Sequence, residues 1–101
     1  VSVTEALKVG ALIEDLDIVD LENAMERTEQ AAILSVYENL QRGSRNHIRS
    51  FTQTLGRYGE TYTPTYLTQA QYLEILAGAT ETGSGSGTGN GSSNGNGKGN
   101  N

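Results

Sequence analysis

The chain has 101 residues, a formal charge of −5 and no cysteine. Without cysteine there can be no disulfide framework, thiolate zinc site, iron–sulfur cluster or cysteine nucleophile, so any metal must be held by oxygen and imidazole nitrogen. Net acidity argues against a nucleic-acid binder that works by neutralising phosphate, and no run approaches the roughly 18 apolar residues that cross a membrane.

The chain opens without an initiator Met or a basic stretch leading into an apolar run, so no signal peptide is read and a piece of a longer protein is expected. From residue 3 to about residue 27, Val3, Leu7, Ala11, Ile18, Leu21 and Met25 recur every three or four positions, the period of an amphipathic helix. Thr28 then offers a capping oxygen to a second run, in which Ile33, Val36, Leu40, Phe51, Leu55 and Tyr58 keep that period up to Gly59. The short connection makes the two helices antiparallel neighbours, paired where residue numbers sum to roughly 57.

The segment Tyr62-Thr63-Pro64 reads as a turn, and Thr68 with Gln71 has capping-box spacing for a short helix from about Gln69 to Ala77, folding back over the open end of the hairpin. Tyr58, Tyr62 and Tyr66 are expected to wedge this return loop against the hairpin with their hydroxyls in water. From about Thr80 the sequence is almost wholly Gly, Ser and Asn, too poor in apolar groups to offset an ordering cost of roughly 1 to 2 kcal/mol per residue. Residues 1–79 therefore read as the folded domain and residues 80–101 as a disordered tail. The fold class is all-α, two long antiparallel helices plus a short C-terminal one.

At 100° per residue, Glu14 lies within roughly 40° of Leu7, Gly10, Ile18 and Leu21, in the middle of an apolar stripe, with Asp17 one turn along. His47 holds the same place on the second helix, within roughly 40° of Val36, Leu40, Gly43, Phe51 and Tyr58, with Ser44 beside it. The pairing rule sets Gly43 opposite Glu14 and Gly10 opposite His47, leaving each polar side chain room. An inward Glu facing an inward His is explained either by a shared cation or by a buried hydrogen-bonded pair that fixes register. Ser44 with His47 has neither an oxyanion hole nor an orienting acid and does not make a hydrolase. Arg42, Arg45 and Arg49 read as a solvated outer stripe, with Glu38 paired to Arg42.

The stretches Ala6-Leu7-Lys8-Val9-Gly10-Ala11-Leu12-Ile13-Glu14, Tyr37-Glu38-Asn39-Leu40, Gly43-Ser44-Arg45-Asn46-His47 and Tyr62-Thr63-Pro64-Thr65-Tyr66-Leu67 resemble the C-terminal half of the ferritin-like family called domain of unknown function 2202. That resemblance implies half of a ferritin-like four-helix bundle, with Glu14 as the third-helix carboxylate ligand and His47 as the fourth-helix imidazole. Where the ferritin pattern has Glu three residues before that His, this chain has Ser44. Asp17 and Ser44 are then weaker ligands or groups that orient Glu14 and His47. The implied cofactor is iron, with manganese or zinc as alternatives, and any redox chemistry would be of oxidase or peroxidase type.

Two helices alone bury too little at this length, so the apolar stripe needs a partner: the missing N-terminal helices, or a second copy completing a four-helix bundle. The competing reading is a helical assembly module whose polar pair is purely structural.

Overall fold

The computed structural model describes residues 2–82, and among these there are three helices and no strand. α1 spans Val3–Glu26, α2 Ala31–Arg57 and α3 Gln69–Ala77. α1 begins with a capping box in which the Ser2 hydroxyl accepts from the Glu5 N–H and the Glu5 carboxylate accepts from the Ser2 N–H. That satisfies two of the helix's orphan donors. Thr68 and Gln71 do the same for α3, as their spacing predicted.

α2 differs from expectation at its start. Gln30, not Thr28, is the N-cap residue, and its side chain makes no capping bond. The centre of the hairpin therefore sits nearer residue 30, and cross-helix partners shift by about one helical turn. Gly10 consequently meets the Phe51 ring rather than His47, with a Cβ built on Gly10 only 3.1 Å from that ring. Glu14 meets His47 rather than Gly43. A slip of one full turn preserves which face points inward, so the inward Glu and His still meet.

α2 stops in a Schellman motif. Glu60 N–H donates to the Leu55 carbonyl and Gly59 N–H to the Gly56 carbonyl, both at 3.0 Å, with Gly59 at φ +73°. A left-handed residue at that place favours glycine. The chain then returns along the hairpin, and α3 packs on α2.

The core lies between the hairpin and this return segment. Ala11 and Ile18 of α1, Ile48 and Leu55 of α2, Tyr62 and Leu67 of the segment and Tyr72 of α3 are buried together. Tyr62 and Tyr72 meet edge to face, with ring centroids 5.9 Å apart. The return segment covers only one flank of the apolar stripe on α2. On the other flank Val36 and Leu40 remain 54 % exposed.

The tail assigned to residues 80–101 lies outside the described residues from position 83 onward. Inside them, Glu81 is tied to α2 through its carboxylate and its backbone, so the fold reaches two residues past the expected boundary.

Candidate functional site

Glu14 on α1 and His47 on α2 face each other across the uncovered side of the hairpin, with Oε2 and Nδ1 3.2 Å apart. Periodicity put both side chains on inward faces, and the one-turn shift in pairing brings them into direct contact. The Glu14 side chain is 14 % exposed and the His47 side chain 64 % exposed, so the pair sits at a groove open to solvent rather than in a sealed core. Leu21, Leu40, Gly43, Ser44 and Asp17 also line the groove.

A carboxylate oxygen only accepts, so a hydrogen bond between these two atoms is one that Nδ1–H of the imidazole donates to Oε2. A cation replacing the shared proton would turn the same two atoms into ligands. Ser44 is buried on the groove wall and Asp17 is half-buried along it. Among the described residues, however, no three His, Cys, Asp or Glu side chains gather closely enough to hold an ion by themselves.

Among the described residues, the acid with the most hydrogen-bond donors is one that helical periodicity alone does not single out. Asp15, next to Glu14 and fully buried, accepts from the Tyr62 hydroxyl at 2.6 Å, from the N–H groups of Thr65 and Leu67 at 2.7 Å each, and from the Tyr66 N–H at 3.2 Å. It pins the return segment to α1. The hydroxyl of Tyr62 thus ends on a carboxylate, not in water, whereas Tyr58 and Tyr66 stay about half exposed. The signal for Asp15 was its spacing from Ala11 and Ile18, which puts it on their face of the helix.

The outer arginines also depart from expectation. Arg42 Nη1 donates to Asn39 Oδ1 at 2.7 Å, with Glu38 taking no part, and Arg45 and Arg49 are partly buried against Glu81. Gln41, buried at the next position, donates to the Ile18 carbonyl and to Glu22, both at 3.0 Å.

Fold and site together define an all-helical unit built on a long antiparallel pair, with one helical face uncovered and a carboxylate–imidazole pair set into it. The chain belongs to the family described as uncharacterized protein domain DUF2202, which matches residues 1–79. It is 52 % identical over 82 residues to the uncharacterized protein MJ0754 of Methanocaldococcus jannaschii, an alignment covering 81 % of this chain and 44 % of that protein. The crystal structure of hypothetical protein MJ0754 from Methanococcus jannaschii matches with a TM-score of 0.77 at 52 % identity, over 79 % of this chain and 46 % of that one. The chain thus spans less than half the length of this relative.

Proposed function

We propose that the chain supplies one half of a ferritin-like helical bundle, and that Glu14 and His47 are its contribution to a metal site at the junction with the other half. The observation that carries this reading is the approach of Oε2 of Glu14 to Nδ1 of His47 at 3.2 Å in an open groove. Two donors on a single ion at bonds of about 2.0 to 2.2 Å stand roughly 2.9 to 3.4 Å apart, so the spacing suits ligation as well as it suits a hydrogen bond.

An oxygen and nitrogen donor set fits iron first, with manganese or zinc as alternatives. When bound, the metal supplies Lewis acidity or a redox centre, and the protein's part is to fix the two donors. α1 and α2 hold Glu14 and His47 from opposite sides, while Asp17 and Ser44 in the same groove act as weaker ligands or orient them.

Two donors do not complete a coordination sphere, so the others must come from whatever covers the groove. The uncovered Val36 and Leu40 beside it support a helical cover, and more than half of the matched relative lies outside the region this chain resembles. A second copy of the chain would bring two Glu14 and two His47 to the same place. The exposed apolar row equally favours the alternative reading, an assembly module whose polar pair sets register.

Metal content per chain, measured by elemental analysis on protein purified without chelator, tests the proposal. Stoichiometric metal in wild type that is lost in His47→Ala is expected. If Glu14→Leu with His47→Leu raises stability and leaves assembly and metal content unchanged, the metal reading fails and the assembly module stands.

A further inference from the structure

A second constellation, on the outer side of α2, has no part in the groove of Glu14 and His47. After α3 the chain runs through Gly78, Ala79 and Thr80 and delivers Glu81 to Arg45, Asn46 and Arg49. Arg45 donates from Nε to Oε2 and from Nη2 to Oε1 of Glu81, both at 2.6 Å, and Arg49 Nη2 donates to Oε2 at 2.9 Å. A fork of two parallel bonds to one carboxylate is the strongest form of this pairing.

Asn46 reads the backbone of the same residue. Its Nδ2 donates to the Glu81 carbonyl and its Oδ1 accepts from the Glu81 N–H, both at 2.8 Å. One residue can offer both groups to a single amide only when they point to the same side, as in an extended strand that exchanges both bonds with its neighbour. Oδ1 of Asn46 also accepts from Arg49 Nη1 at 2.8 Å, which fixes the orientation of the amide. Partners outside the gripped segment hold the guanidinium groups as well. Arg49 Nε donates to the Ile75 carbonyl at 2.7 Å, and Arg45 Nη1 to Gln41 Oε1 at 3.1 Å.

We propose that Arg45, Asn46 and Arg49 form a binding site for an acidic residue in an extended peptide segment, a site that this chain fills in cis with its own Glu81. The charge fork selects the carboxylate and the asparagine amide selects extended backbone, so a peptide satisfies the site more fully than a free anion does. The reading is independent of the metal proposal, since none of these residues lines the groove.

A tether of three residues holds Glu81 at a local concentration in the millimolar range, so a peptide in trans competes only once the cis contacts are weakened. The full chain carrying Glu81→Pro loses both the carboxylate and the N–H at that position. It is titrated with the acetylated and amidated peptide Ala-Thr-Glu-Thr, following the nitrogen-edited NMR signals of the Asn46 side-chain amide and of Nε–H in Arg45 and Arg49.

We expect the variant to bind at least tenfold more tightly than wild type, the peptide with Gln in place of Glu and inorganic phosphate to bind at least tenfold more weakly, and Arg45→Ala added to Glu81→Pro to abolish the response. An equal response in wild type and variant, an equal response to the Gln peptide, or phosphate matching the peptide overturns the proposal. So does silence of the folded variant at peptide concentrations up to about 10 mM, well above the tethered range. Glu81→Gln, which keeps the backbone pair and loses only the charge, provides a second background with the same expected order of ligands.

Discussion

The Tyr62 hydroxyl donates to Oδ2 of Asp15 at 2.6 Å, joining the return segment to the middle of α1 across 47 positions of sequence. Three backbone N–H groups complete the shell, so a fully buried carboxylate is held by donors of the loop it organises, with no cation in contact among the described residues. A carboxylate can lie in the core when its lone pairs are met in this way.

Asp15→Ala should therefore be among the most damaging substitutions in the chain. It strands the N–H groups of Thr65 and Leu67, and each donor left unpaired away from water costs about 1 to 3 kcal/mol. Urea denaturation reads the total. Faster amide exchange at Thr65 and Leu67 than in the middle of α2 localises it, and unchanged exchange at those two amides would refute the assignment.

Tyr62→Phe removes one donor and leaves the ring packed against Tyr72, so a smaller loss of about 1.5 to 3 kcal/mol is expected for a hydrogen bond to a charged acceptor. Burial first, and then the bond to Asp15, push the Tyr62 phenol well above the ordinary tyrosine value of 10.0, and burial also raises Tyr72. A raised folded value means that the contribution of the neutral phenol is complete below pH 10 and declines as the pH climbs through the folded value. Alkaline titration monitored by tyrosinate absorbance and helix content together should show these phenols ionising as the helices are lost.

Glu81 titrates with the opposite sign. The Arg45 hydrogen bond first, and then Arg49, hold its carboxyl below the ordinary 4.5 despite partial burial. Its contribution is therefore fully present above pH 4.5 and disappears as the pH falls through the depressed folded value. Melting temperatures of wild type and Glu81→Gln should differ at neutral pH and converge in strongly acidic solution. A constant gap would show that the charge pairing contributes nothing.

Two helical glycines should respond differently to alanine. A Cβ on Gly43 meets nothing within 4 Å among the described residues, so Gly43→Ala is expected to gain about 0.5 to 1 kcal/mol from helix propensity alone. A Cβ on Gly10 stands 3.1 Å from Cε2 and Cζ of Phe51, so the ring must move and the gain is lost. Thermal melts of the two variants compare them directly. If a partner helix covers the groove, Gly43→Ala should also weaken that association, because the open space at Gly43 is then needed.

The three helices, the capping box at Thr68 and the inward placing of Glu14 and His47 show how far local rules reach. Period and cap chemistry depend only on residues a turn or less apart, and Ser2 with Glu5 caps α1 by the same spacing that Thr68 and Gln71 use at α3. The start of α2 at Ala31 instead of just after Thr28 lay within the usual slack of helix ends, yet it moved every cross-helix contact by a turn. Glu14 and His47 still met because a whole turn returns to the same face.

The sequence by itself determined an all-helical hairpin with a polar pair on one apolar face, because helical periodicity is written into spacing along the chain. Only the tertiary structure decided that Asp15 rather than Glu14 is the buried acid, that Tyr62 answers it, that Arg45 and Arg49 grip Glu81, and which flank of the α2 stripe is covered. Each of those outcomes depends on where the return segment lands, and partners 30 to 50 positions apart are chosen by packing, which no local period encodes.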